Sequence, residues 1–457
     1  MTRLMRMDWP EGGTPDLPPV FALAEAEARL AAARSAMAAR GHEALVVYGD
    51  REHAANLHWL TGFDPRFEEA VLVIAPDRAH LLAGNECLAW TAVSPLVQAG
   101  HVTPVHCASL SLPSQPRGGA RLSDLLAPLV PRGARIGVAG WKWFGPDEVD
   151  DPATALDVPA FLADPLRLRA GRAENATDLF QHPGHGLRAR VGAADIARLE
   201  FANHMAAAAL KRMVFALREG MTDFAAVEAA RIGGLPLGCH VTFATGSRAH
   251  LGLSGPSGER LELGQPVSFN IAHWGANICR AGWLARGAED LPVAAEDYLE
   301  AFVAPYLAAM SAWCGLMRPG MPAGAVWARM QEMLPFDTFG VSLNPGHLIG
   351  LDEWVSSPIL EGSGVPLASG MAMQMDVIPF HTTYGSTRME DGYVLADEGL
   401  RAELTARFPN VARRAEARAR FMRDQIGMDV PDTLLPLADT CGIIAPWLLD
   451  PAQVAAL

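Results

Sequence analysis

Two apolar segments of the sequence are built alike but carry different chemistry. AMQMDVIPFHTTYGSTRMEDG (372–392) holds acids at Asp376 and Glu390, whereas VSFNIAHWGANICRAG (267–282) holds Asn270 and Ala281 at the comparable places. A third segment, NPGHLIGLDEW, sets His347 among glycines and apolar residues. An unpaired carboxylate is costly to bury in an apolar strand, so each acid must have a partner or a task. A salt bridge to Arg388 is the structural alternative for Glu390. A histidine with two carboxylates supports two kinds of chemistry. The histidine can pass a proton to a leaving nitrogen while the acids hold a cationic substrate. The three can also bind one divalent ion, since three protein ligands plus water form a normal catalytic set.

The elements that must position these residues repeat. LREGM (217–221) recurs as MRPGM (317–321), each before an apolar helical stretch, and LELGQPVSFNI (261–271) recurs as LASGMAMQMDV (367–377). Leu261, Gly264 and Asn270 align with Leu367, Gly370 and Asp376, and His240 in LGCHVTFATG is read as the counterpart of His347. An ordered series of matches indicates a duplication of about 100 residues. A pseudo-two-fold fold brings equivalent strands together, so positions 270 and 376 should face one cavity.

Ahead of this duplicated region, FALAEAEARLAAARSAMAARG predicts a helix stopped by Gly41. Strand-like runs follow at 43–49, 68–76, 78–84, 101–107 and 135–140, with helical candidates between them. That alternation predicts an α/β domain over residues 1–168. A polar stretch at 169–190 reads as a linker, 191–400 as an α+β domain with pseudo-two-fold symmetry, and 401–457 as a helical extension. The Arg-rich run of that extension reads as a solvated helix face.

Composition narrows the function classes. Of 457 residues, 50% are hydrophobic and 19% charged, which indicates folded domains with real cores. A net charge of −14 argues against nucleic acid and anionic membranes as partners. Six scattered cysteines without a CxxC pair suit a reduced, cytoplasmic interior, and the start has no signal-peptide run.

These segments resemble the "pita-bread" family of creatinase, aminopeptidase P, prolidase and methionine aminopeptidase. GHLIGLDEW looks like the family's GHGIGLxxHE, SGMAMQMDVIP like PGMVxTxEPG, and TRMEDGYVLADEG like RIEDxVLVTEDG. The resemblance implies a creatinase-like α/β N-terminal domain, a pita-bread C-terminal domain and a homodimer. Family metal enzymes hold two divalent ions with two Asp, one His and two Glu. Carried over, the His is His347, the Glu positions are Asp376 and Glu390, and the Asp positions fall on Asn270 and on or next to Ala281. Two hard cations need bridging anionic oxygens, which an amide and a methyl do not supply. The resemblance therefore implies a C–N hydrolase of a small polar substrate without the dinuclear centre, as in creatinase, which works without metal.

On this reading His347, with His250 in SRAHLGLSG or else His240, handles protons, and Asp376 and Glu390 hold the substrate. Asn270 also faces it, and Arg280 and Arg66 recognise an anionic group. No cofactor is expected. The alternatives are one divalent ion (Mn, Fe, Zn or Co) on His347, Asp376 and Glu390, giving a mononuclear peptidase or lyase, and an inactive binding pseudo-enzyme.

Overall fold

The protein is described from a computed structural model covering residues 2–457. It forms two compact units, residues 20–189 and residues 1–19 with 190–457.

The first unit is built on a six-stranded sheet. Its order is Thr103–His106, Ala79–Ala83, Ala70–Ile74, Ala44–Gly49, Arg135–Ala139, Arg172–Asn175. ALVVYG lies near the middle and is buried throughout, as expected of a strand covered on both faces. Leu45 and Val47 enter one apolar cluster, and Ala44, Val46 and Tyr48 enter the other. All five predicted strand runs are strands. The expected linker is not one: Arg172–Asn175 pairs in parallel with Arg135–Ala139 and completes the sheet, and a short helix, Asp178–Gln181, follows. The unit thus runs to residue 189 rather than 168.

The second unit contains a long helix α1 (Ala193–Ala216) and two four-stranded antiparallel sheets. The strands of the first sheet are β1 (Phe243–Thr245), β2 (Pro266–His273), β3 (Ala276–Trp283) and, later in the chain, β6 (Arg388–Glu390). Its order is β6-β3-β2-β1. The second sheet contains β4 (His347–Leu348), β5 (Ala372–Gln374), β7 (Gly392–Leu395) and β8 (Leu434–Pro436), in that order.

The duplication is visible in the backbone. Gly220 N–H donates to the Leu261 carbonyl and Leu261 N–H to Met221, while Gly320 donates to Leu367 and Leu367 to Met321, all at 2.8–2.9 Å. Gly264 and Gly370 both adopt left-handed conformations, φ 76° and 88°, and donate to Leu284 and Leu395. The strand register corrects one expected equivalence. With Asn270 matching Asp376, Ser268 matches Gln374; Ser268 pairs with Ala244 and Gln374 pairs with His347. Ala244, not His240, is therefore the counterpart of His347.

The terminal segments belong to this unit. Arg3–Arg6 pairs antiparallel with Gln453–Ala456. The Arg-rich helix α3 (Pro409–Phe421), which follows α2 (Ala304–Leu316), is not merely solvated. Arg414 and Arg418, each 4% exposed, both bond Glu200 of α1 at 2.8 Å, and Arg418 also bonds Asp439 at 2.6 Å. A four-residue spacing places these two arginines on one helix face, so the charges dock the tail. One helical stretch, Val293–Leu316, is long and apolar enough to cross a membrane by composition, and half of its most apolar window is buried inside the fold.

Candidate active site

Strand alternation decides which side chains meet. On β3, Asn277, Cys279 and Ala281 share one face, and Arg280 takes the other. Cys279 lies opposite Asn270 on β2 and opposite Glu390 on β6; one row further, Ala281 lies opposite Ser268 and Arg388. The Asn270 row is where the chemistry collects.

The amide beside Asn270 is Asn277, not a residue at 281. The β2–β3 hairpin turns in two residues, with His273 paired to Ala276 and Gly275 at φ 87°. The return strand therefore brings its amide alongside after only seven positions. Thr242 fixes the orientation of both amides. Its N–H and hydroxyl donate to Asn270 Oδ1 at 2.7 and 3.1 Å, which leaves Asn270 Nδ2 to donate to Asn277 Oδ1 at 3.1 Å. Asn277 Nδ2 then donates to Glu390 Oε1 at 3.0 Å, where Gln374 Nε2 also donates at 3.2 Å. Asn277 and Gln374 thus present N–H groups toward the acid, and Asn270 holds Asn277 in that orientation.

Opposite them, His347 is fully buried and stacks on Trp354 with ring centroids 4.1 Å apart. Its Nδ1 lies 3.1 Å from the Leu348 carbonyl, which sets that nitrogen as the N–H. Its Nε2 lies 3.2 Å from Glu353 and 3.8 Å from Asp376 but makes no well-aligned hydrogen bond, and Asp376 Oδ1 is likewise without a partner, among the described residues. Glu353 is a third acid that sequence reasoning passed over, although it lies inside the quoted GHLIGLDEW.

Burial governs the proton affinities. It pushes Asp376 up to about 6; His347 pulls against the rise and Glu353 adds to it. Burial also carries Glu390 well above the usual carboxylate range, with Asp376 and Glu353 adding to the rise. For His347 burial disfavours the charged form, but Glu353 and Asp376 outweigh it and the ring is raised. Burial likewise disfavours ionised Glu353, yet His347 wins and lowers it.

The linkage has a definite sign. In the unfolded chain Asp376 and Glu390 lose their protons near about 4, so between there and their raised values the folded chain holds protons that the unfolded one releases. Their contribution to stability is complete at low pH and is lost as pH rises through about 6 and beyond; raised His347 acts in the same direction. Asp376→Asn is therefore expected to raise the thermal midpoint at pH 8 by about a few degrees and to change it little at pH 4.5. Thermal melts at both pH values check this; a variant less stable at pH 8 contradicts it.

Other expected site residues fall elsewhere. Arg280 points away from the acids and is 3% exposed, bonded to Asp391 and to the Thr440 and Cys279 carbonyls at 2.7 Å. It is a structural ion pair rather than a substrate clamp. His240 is exposed and bonds the Leu253 carbonyl at 2.9 Å. His250, on the turn Gly246–Leu251, lies 5.7 Å from the Phe380 ring at an open cleft. Neither histidine makes a hydrogen bond to the acids among the described residues. Arg66 belongs to the first unit, with a left-handed backbone (φ 54°), and lies over the Trp90 ring at 4.7 Å.

A different arginine is available. Arg388 is 7% exposed and shares its face with Glu390, its Nε has no partner, and no carboxylate lies within ion-pair distance of it among the described residues. The expected bridge to Glu390 is therefore absent there.

Residues 29–140 match the family model of the Creatinase/Prolidase N-terminal domain. No curated protein matches the chain. Among solved structures, the prolidase from Pyrococcus horikoshii OT3 is 14% identical, with a TM-score of 0.62 over 81% of this chain and 95% of that one. The dipeptidase PepE from Mycobacterium ulcerans is 22% identical, with a TM-score of 0.61 over 83% and 95%. The chain has the creatinase/prolidase fold. Within this fold the N-terminal domain of the FACT complex subunit SPT16 from Cicer arietinum also matches, at 14% identity and TM-score 0.59 over 82% and 95%.

A two-ion centre of the kind the prolidase fold brings to mind does not fit these residues. A ligand must offer a lone pair, and both amide oxygens that could do so are already engaged: Asn270 Oδ1 accepts from Thr242 and Asn277 Oδ1 accepts from Asn270, while the Asn277 N–H faces Glu390. One ion is compatible with the donor set: ligand atoms of His347, Glu353 and Glu390 all lie within 4.8 Å of one another. Glu353 there takes the place expected of Asp376.

Proposed function

We propose that this protein hydrolyses a C–N bond of a small substrate carrying a carboxylate beside the scissile bond, without a dinuclear centre. The observation that carries the reading is a buried guanidinium, Arg388, with no ion-pair partner among the described residues, one row along the sheet from Glu390, in the same unit as a histidine set between Glu353 and Asp376. A lone buried cation is costly, and a substrate carboxylate is the counter-ion that satisfies it.

Bound there, the substrate presents its amide or amidine to His347, Asp376, Glu353 and Glu390. Asp376, whose proton affinity lies near neutrality, takes a proton from water as it attacks the carbon. Raised His347 gives a proton from Nε2 to the leaving nitrogen, with Glu353 stabilising its charged form. Glu390, whose burial favours its uncharged form and which Asn277 and Gln374 hold in place, limits the negative charge of the cluster.

The test is turnover of a panel of dipeptides, N-acyl amino acids and guanidino acids. On a substrate so found, Arg388→Met is expected to raise KM about ten- to a hundredfold, the loss of one charge-assisted bond. An unchanged KM, or equal turnover of analogues lacking the carboxylate, contradicts the reading. Binding without turnover across the panel supports the pseudo-enzyme instead.

A second reading rests on the triad His347, Glu353 and Glu390, whose spacing suits a single divalent ion in a peptidase or lyase. The free thiols, with no disulfide among the described cysteines, support work in a reducing cytoplasm, and we extend the proposal to a homodimer acting on small molecules, which sedimentation checks.

A further inference from the structure

Beyond Arg388 the same sheet face continues into a cleft of about 620 Å³, within the range of small-molecule sites. Along β2 the residues Asn270, Ser268 and Pro266 point the same way, and along β3 so do Cys279, Ala281 and Trp283. Glu390 occupies the first row, with Cys279 and Asn270. Arg388 occupies the second, with Ser268 and Ala281; Pro266 and Trp283 occupy the third, about 13–14 Å from the first by strand rise. By row order Arg388 thus stands between Glu390 and the cleft, flanked by the small side chains of Ser268 and Ala281.

The cleft is made for an uncharged group. Trp283, Phe380 and His250 form its aromatic lining, with Ser268, Thr383 and Ser386 supplying hydroxyls. No acid, lysine or arginine lines it among the described residues. Ser268 is 2% exposed and its Oγ has no hydrogen-bond partner among the described residues.

We infer that this cleft is the specificity pocket of the site and receives an uncharged aromatic or branched aliphatic group attached next to the carboxylate that Arg388 holds. The substrate runs along the sheet face: scissile bond at the acids, carboxylate at Arg388, side chain in the cleft. The inference rests on the reading of Arg388 given above and adds the class of substituent.

Calorimetric titration of the full chain with N-acetylphenylalanine, N-acetylglycine and N-acetylaspartate tests it. N-acetylphenylalanine is expected to bind at least about tenfold more tightly than the other two. Ala294→Trp, a change at an exposed residue of the cleft rim, is expected to remove that preference while leaving N-acetylglycine binding unchanged. Equal affinity for the phenylalanine and glycine compounds, with both lost in Arg388→Met, overturns the pocket and leaves the anchor standing. Tighter binding of the aspartate compound overturns the uncharged-group assignment. If none binds, or if Arg388→Met weakens none, the anchor falls and the pocket with it.

Discussion

Arg280→Leu is expected to destabilise the chain by about 3–5 kcal/mol, because it leaves Asp391 as an uncompensated buried charge. Asp391 is 0% exposed, and Arg280 Nη2 reaches both its carboxylate and the Thr440 carbonyl at 2.7 Å. Burial raises Asp391 above its usual range, and Arg280 is what pulls it back. The same guanidinium bonds the Cys279 and Glu390 carbonyls at 2.7 and 3.1 Å, so it also ties β3 to β6 behind the site. Against a total stability of about 5–15 kcal/mol, such a loss is severe. Urea unfolding, compared at unchanged slope, measures it. A variant of normal stability with a raised KM would return Arg280 to the role of substrate clamp.

His347→Gln is expected to lower kcat on any turned-over substrate by about a hundred- to ten-thousandfold, the range for removing a positioned acid–base group. Glutamine keeps a polar side chain of similar reach, and the replacement is expected to fold with a near-normal thermal midpoint. The split matters: if His347 served only to fill the core beside Trp354, stability would fall and kcat of the surviving protein would not. A kcat within about twofold of the original removes His347 from the chemistry.

Much of the architecture was legible because it follows from periodicity. The apolar runs of the first unit, ALVVYG foremost, admit few arrangements other than a doubly covered sheet. The repeats around Gly220 and Gly320, and around Gly264 and Gly370, announced the duplication because left-handed turns restrict the residue types that fit. His347, Asp376 and Glu390 do converge. What sequence counting missed was set by register. A two-residue turn brought Asn277 rather than Ala281 beside Asn270, and strand alternation sent Arg280 behind the sheet and Arg388 onto the site face. Glu353 comes from a loop without strand or helix periodicity, so no pattern marked it. The arginines of α3 looked solvated because their acidic partners, Glu200 and Asp439, lie far away in sequence.

The central claim is that the amides at 270 and 277 have taken this site out of two-ion chemistry. The most direct measurement is elemental mass spectrometry on untagged protein incubated with excess manganese or zinc and then dialysed without chelator. The account expects a small fraction of an equivalent to be retained, and about one equivalent, lost in His347→Gln, would move the assignment to the single-ion reading. Retention of about two equivalents would contradict the claim, because the Asn277 N–H that faces Glu390 and the Asn270 N–H that engages Asn277 Oδ1 could not then be where the structure puts them.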